Sequence, residues 1–188
     1  MSARTFIALD LDDVIRSRLA DAGRKLLAGA ATIRRVDRAN LHVTLQFLGD
    51  VSDEKLAEVC AAVAEVAERT TPFEFDVRGL LCIPPGGRAR MIWGGVQDPA
   101  GGAVDLHDTL SAALEALGFA PEQRTFHPHV TVARIKHAPD PRGLRSAVAP
   151  WADRGFGMQH ANRVTVYTSE LTPAGPVYTP VASPAFLR

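Results

Sequence analysis

The sequence predicts an α+β fold: two similar halves of mostly antiparallel sheet with helices on the outer faces. Three observations lead there. Strand-type and helix-type segments follow one another in the order β-α-β-α-β-β-α-β-α-β-β, the pattern of helices packed on antiparallel sheet. No Gly-rich phosphate-loop motif follows a strand, which counts against a Rossmann or P-loop nucleotide unit. A short motif, H-V-T plus an aliphatic residue, occurs once in each half, as LHVTL at Leu41–Leu45 and PHVTV at Pro128–Val132.

The elements follow from local pattern. Thr5–Leu11 is a run of strand formers closed by acidic residues, and Asp12 then suits a helix N-cap. Behind it Val14, Ile15, Leu19, Ala22 and Leu26 recur at helical spacing. Leu41–Leu48 alternates as a strand, and Gly49–Asp50 ends it. Ser52 caps a second helix with the stripe Leu56, Val59, Val63 and Val66. Phe73–Ile83 and Met91–Val96 read as strands joined by the PPGGR loop, Pro84 to Arg88. A third helix turns Leu106, Leu110, Ala113, Leu114 and Leu117 inward and stops at Gly118. A short helix around Leu144–Trp151 and two closing strands, Asn162–Leu171 and Val177–Val181, complete the chain. Residues 1–188 are expected to form one bilobal domain whose halves divide near 84–90, with terminal strands able to cross between lobes.

Composition narrows the function classes. The chain carries 21 basic and 21 acidic side chains, so it lacks the overall basic footprint of a protein that coats long nucleic acid. A local basic pocket for one phosphate is compatible with that balance. Cys60 and Cys82 form no C-x-x-C pattern and read as buried thiols. The N-terminal apolar run is broken at Asp10, and no segment approaches the ~18 apolar residues of a membrane helix. We expect a cytoplasmic monomer.

The repeated motif carries the chemistry. Side chains two apart on a strand share a face. His42 and Thr44 therefore project together from a strand anchored by Leu41, Val43 and Leu45, and His129 and Thr131 from one anchored by Val130 and Val132. If the halves pack about a twofold axis, the two histidines face each other across a cleft. Imidazole titrates near neutrality, so one ring can act as base and the other as acid on a single phosphorus. The threonine hydroxyls can donate hydrogen bonds to its non-bridging oxygens. No metal or cofactor is required. His127 and His129 form an H-x-H pair, but no Asp, Glu or Cys accompanies them at zinc-ligand spacing.

At these motifs the chain resembles the two-histidine (2H) phosphoesterases, specifically the RNA 2′,3′-cyclic phosphodiesterase and 2′-5′ RNA ligase family. The resemblance rests on Arg4–Leu11 (RTFIALDL), Asn40–Val51 (NLHVTLQFLGDV), Phe126–Arg134 (FHPHVTVAR) and Tyr167–Val181 (YTSELTPAGPVYTPV), in that order. It implies a bilobal fold with a pseudo-twofold active-site groove between the halves, His42 as proton donor to the leaving oxygen and His129 as the base that activates water. Thr44 and Thr131 would grip the phosphate, and Arg134 would contact substrate. The implied reaction opens a ribose 2′,3′-cyclic phosphate at an RNA or nucleotide terminus to a 2′-phosphomonoester. Joining or cleaving 2′-5′ linkages, as in tRNA fragments, uses the same residues, and a nucleotide-binding module without turnover is the alternative of another class. Val132 stands where the family more often has leucine.

Other side chains leave two readings open. Strict alternation puts Arg134 on the face opposite His129, so a substrate contact there needs a bulge. Phe47 sits at the same offset from His42 and either stacks a base or packs in the core, as does Trp93. Arg34, Arg35, Arg38 and Arg124 either line an RNA-binding rim or are solvated loop residues. His107, His137 and His160 fall in a helix or loops without evident partners.

Overall fold

In the computed structural model, residues 2–27, 33–122, 124–136, 140–173 and 175–187 are described; His137 and Ala174 of the closing turn lie outside them. The first half of the chain gives β1 (Ser2–Asp10), α1 (Asp13–Leu26), β2 (Ile33–Arg35), β3 (His42–Ser52), α2 (Asp53–Ala67) and β4 (Phe73–Ile83). The second gives β5 (Met91–Gln97), α3 (Gly102–Glu115), β6 (His129–Ile135), α4 (Pro141–Val148), β7 (Gly155–Ala161), β8 (Thr165–Thr172) and β9 (Gly175–Ala182). The strands form one open sheet in the order β7-β4-β5-β6-β3-β1-β8-β9, with β2 paired to β6. Every pairing is antiparallel. The fold is α+β, as the element order implied.

Outward from the β3–β6 junction the two arms of the sheet mirror each other, β3-β1-β8-β9 on one side and β6-β5-β4-β7 on the other. The chain crosses between them. β4 follows β3 and α2 yet joins the β5 arm, and β8 returns to pair with β1. Helix α1 also crosses: Leu19 lies against Gly94 of β5, and Gly23 against Val132 of β6. Residues of both arms thus share one hydrophobic core, from Ile7 and Leu9 through Val43 and Val130 to Phe75 and Phe156. No helix is long and apolar enough to cross a membrane among the described residues.

Local signals account for most element boundaries. Ser52 Oγ accepts from the Lys55 amide, capping α2, and the stripe Val59, Val63 and Val66 is buried beneath it. In α1, Ile15, Leu19 and Ala22 are buried, but Val14 is 58% exposed, one position off the inward stripe. Gly118 adopts φ +88 after α3, as a helix stop requires. Cys60 and Cys82 are free thiols; Cys82 is buried as expected but Cys60 only half-buried, and desolvation raises the pKa of both.

Two strands were not expected. β2 spans only three residues, and β7 (GFGMQHA) has little strand character; each forms because a neighbouring edge, β6 or β4, supplies its hydrogen bonds. The last pair is shifted from its expected bounds: β8 starts later, at Thr165, and β9 earlier, at Gly175. Asn162–Val164 precede β8, and Arg163 makes only an isolated bridge to Ala185.

One glycine is required where β4 meets the segment before β7. Gly79 has φ +80, and a Cβ there would lie 2.3 Å from the Ala152 carbonyl oxygen. Its own amide donates to the Arg154 carbonyl at 2.9 Å. Gly79→Ala is therefore expected to cost at least about 2 kcal/mol, combining left-handed strain with a backbone clash. Urea unfolding of the two proteins, compared at equal slope, measures it.

Candidate active site

The site begins at a backbone contact. β3 and β6 meet through one pair, Val43 opposite Val130, and both valines are fully buried on the helix-covered side. Extending that antiparallel register by one residue either way sets His42 across from Thr131 and Thr44 across from His129. Because residues alternate, all four side chains leave the opposite face from the valines. A local twofold axis between the valines exchanges the two H-x-T pairs.

Matching bulges extend this symmetry. In β3 the register against β1 skips Leu45, and in β6 the register against β5 skips Val132. Each bulge falls three residues after the histidine and inverts the alternation beyond it. Leu45 and Gln46 are both buried, as are Val132 and Ala133. Phe47 is thereby returned to the face of His42, and Arg134 to the face of His129. Phe47 is 72% exposed, so it is not a core residue. The two strands run in opposite directions, so Phe47 and Arg134 mark opposite ends of the groove. One end is aromatic and the other cationic.

The imidazoles are held in matching ways. His129 Nδ1 donates to the His127 carbonyl at 2.7 Å, leaving Nε2 as the basic nitrogen of the neutral ring. His127 supports His129 through its backbone. His42 donates a hydrogen bond to the carbonyl of Asn40, also two residues earlier, and its Nε2 lies 2.9 Å from Thr44 Oγ1. Asn40 is itself anchored, its amide donating to the Pro176 carbonyl of β9 at 2.9 Å.

Around those bonds the surroundings differ. His42 stacks on Phe6 (4.9 Å between ring centres, 25° between planes), and Tyr178 meets it edge-on at 5.5 Å. Tyr167 stacks behind Phe6 at 5.2 Å, and its hydroxyl donates to Asp10 at 2.6 Å. Thr165 also donates to Asp10, at 2.7 Å. His129 instead lies flat on Trp93, with ring centres 3.5 Å apart and planes within 14°. Trp93 is thus a wall of the site. Sequence reasoning missed Phe6, Asp10, Tyr167 and Tyr178; the only available signal was that β1 and the closing segment belong to the motifs of the resemblance.

Burial governs the electrostatics. Desolvation pulls the His42 pKa from 6.5 down to about 4, against the raising influence of the Asn40 carbonyl and the Asp10 charge. Arg134 and His129 lower it further. The His129 pKa is also lowered, first by desolvation and then by the charges of His127 and Arg134, against its hydrogen bond to the His127 carbonyl. Burial raises Tyr178, and Arg134 opposes that rise. The Arg134 charge thus reaches both histidines and Tyr178, within one groove. Among the described residues, no three His, Cys, Asp or Glu side chains gather as metal ligands.

The remaining basic residues and histidines separate. Arg34 lies opposite Arg134 in the β2–β6 pairing, whereas Arg38 is paired with Asp13 at 3.3 Å. Arg35 and Arg124 are exposed. Two histidines do have partners. His107 is buried in α3, bonded to Asp108 and stacked on Phe126, and His160 of β7 faces Glu74 at 3.7 Å.

Comparison with known proteins gives the same architecture. The model of the LigT-like phosphoesterases matches the chain twice, over residues 9–93 and 95–178, one H-x-T motif in each match. The chain belongs to the LigT-like phosphoesterases. An RNA 2′,3′-cyclic phosphodiesterase of Methanothermobacter thermautotrophicus is 34% identical over 179 residues, covering 95% of this chain and 96% of the relative. One of Archaeoglobus fulgidus is 34% identical over 175 residues, covering 93% and 96%. The crystal structure of Escherichia coli LigT complexed with 3′-AMP superposes with a TM-score of 0.79 at 25% identity, covering both chains completely. A crystal structure from Thermus thermophilus reaches 0.82 at 29% identity, covering 97% of each chain.

The depressed histidines make a statement about stability. Between about pH 4 and 6.5 the unfolded chain binds protons at His42 that the folded protein does not, so stability rises with pH there and levels off above. Wild-type stability should fall as pH drops from 6.5 to 4. His42→Asn should show a shallower fall, measured by chemical denaturation at several pH values.

Proposed function

We propose that this LigT-like phosphoesterase hydrolyses 2′,3′-cyclic phosphate at an RNA or nucleotide terminus to a 2′-phosphomonoester, by acid–base catalysis between His42 and His129. The observation that supports it best is the Val43–Val130 pair, which sets each histidine across from the other motif's threonine. That arrangement surrounds one tetrahedral phosphate with two proton-transfer groups and two hydroxyl donors. The RNA 2′,3′-cyclic phosphodiesterases among its relatives make the same substrate the natural reading. We read the protein as a cytoplasmic monomer acting without a metal.

In the proposed reaction, His129 Nε2 takes a proton from water as its oxygen bonds to phosphorus. The bond from phosphorus to O3′ breaks, and His42, as imidazolium, delivers the proton to O3′. Thr44 and Thr131 donate hydrogen bonds to the non-bridging oxygens and hold the phosphorus in line. Trp93 stacks on His129, and its ring face favours the imidazolium that forms there. Arg134 supplies charge to the phosphate, and Phe47 offers an exposed ring to a base.

The free enzyme holds His42 neutral near pH 7, but the acid role needs it protonated. A bound phosphodiester anion supplies the missing stabilisation. It attracts the imidazolium directly and also neutralises Arg134, one of the charges that lowers His42. The division of labour is simple: burial keeps the ring ready, and substrate charge protonates it.

Two outcomes follow. Against a 2′,3′-cyclic nucleotide with chelator present, His42→Ala and His129→Ala should each lower kcat/KM about 10²–10⁴-fold. Thr44→Ala and Thr131→Ala should cost about 10²-fold. Wild-type turnover abolished by chelator, or nucleotide binding without any turnover, would overturn the reading. In the pH profile, kcat/KM reports the free enzyme, so both limbs of its bell should lie below 6.5. The alkaline limb of kcat, which reports the bound state, should move to higher pH. A profile flat from pH 4 to 9 would exclude a histidine pair.

A further inference from the structure

The floor of the groove continues beyond the histidines at its cationic end. There β2 replaces β3 as the neighbour of β6, with Ile33 opposite Ile135, Arg34 opposite Arg134 and Arg35 opposite Ala133. The Val36 amide donates to the Val132 carbonyl at 2.9 Å, so two residues along Arg34 and Arg134 form a hydrogen-bonded pair with Cα atoms about 5.5 Å apart. Directly opposed residues of an antiparallel pair share a face. Ile33 and Ile135 point to the core, so both arginines point into the groove.

Two guanidinium groups directly opposed across a ladder repel each other. Among the described residues neither has a carboxylate or hydrogen-bond partner to offset this. Arg34 stands on β2, beyond the Val43–Val130 contact where β3 leaves β6, so it is placed for a negative charge other than the reacting phosphate, and Arg134 opposite it lies between the two. The third residue from Thr131 along β6 is Arg134, about 10 Å away at strand rise, and long side chains reach back from there toward the next link of a nucleotide chain.

We propose that Arg34, together with Arg134, forms a subsite for a second phosphate, the phosphodiester on the 5′ side of the terminal nucleotide. The subsite makes a single-stranded oligoribonucleotide, rather than a mononucleotide, the preferred substrate. This deepens the cyclic phosphodiesterase reading and rests on it. The matching position at the other end of the groove is Phe47, which carries no charge, so the strand is bound in one direction.

The test compares wild type, Arg34→Gln and Arg34→Lys on three substrates that end in 2′,3′-cyclic phosphate: a nucleoside, the same nucleoside with a 5′-phosphate, and a tetraribonucleotide. In wild type, kcat/KM should be higher for the two compounds with the extra phosphate. In Arg34→Gln the ratio of tetraribonucleotide to bare nucleoside should fall about tenfold, the effect of losing one charged hydrogen-bonding partner. Its dependence on log salt should become shallower by about 0.7. Arg34→Lys, keeping the charge, should retain the slope. A ratio unchanged in Arg34→Gln would overturn the subsite. Titration with a tetraribonucleotide ending in 2′-phosphate separates the two readings: Arg34-dependent, salt-dependent affinity without turnover of any cyclic substrate would sink the hydrolase and leave the subsite standing. Affinity indifferent to Arg34 would sink the subsite alone. A gain from the 5′-phosphate equal to that from the tetranucleotide identifies a terminal phosphate as the ligand and excludes the preference for a chain.

Discussion

The site depends on one backbone pair. Val43 and Val130 join the two arms of the sheet, and both are wholly excluded from solvent. Strand periodicity of two makes that contact decisive, because sliding either strand by one residue would bury the histidines and expose the valines. The valines on the helix side therefore fix the histidines on the groove side. The same register carries the axis that exchanges His42 with His129 and Thr44 with Thr131. Chain crossings reinforce it: α1 of the first half packs on β5 and β6, so the arms cannot separate without opening a shared core.

Much of this was legible because it is local. The alternation of LHVTL and PHVTV marks which residues are anchored and which project, and the repetition places them in equivalent strands. The caps at Ser52 and Gly118 read directly from residue type. What escaped was decided by neighbours. A three-residue strand such as β2 has no period to detect, and β7, with two glycines and a histidine, becomes a strand only because β4 has an open edge. The bulge at Val132 was legible only as what a substrate contact by Arg134 would need, and the one at Leu45 not at all, since nothing in LQF or VAR announces an unpaired residue. Their consequence was large: they bring Phe47 and Arg134 to the groove, where unbroken alternation sends both away.

Symmetry in the backbone does not extend to the chemistry. Both rings are oriented by a carbonyl two residues earlier, as expected of equivalent positions. His42 then enters an aromatic nest of Phe6, Tyr167 and Tyr178, with the Asp10 carboxylate in electrostatic range, while His129 meets Trp93. A symmetric site would give two histidines with equal claims to each role. These walls make the two rings inequivalent, and they come from β1, β8 and β9 on one side and β5 on the other.

The direction of His42's shift at first opposes an acid role, since a ring that resists protonation is a poor donor reservoir. In the proposed reaction it becomes an advantage. An imidazolium that is stabilised by the bound anion loses that stabilisation as charge moves from the phosphate to O3′, so its proton transfers there as the bond breaks. The same apolar wall that withholds the proton from the free enzyme excludes water from the departing oxygen. In the proposed reaction, charge at the groove has two tasks: at Arg134 it draws the phosphate in, and by its neutralisation it permits His42 to charge. That coupling lets substrate binding move the loading of the acid to higher pH than the free enzyme allows.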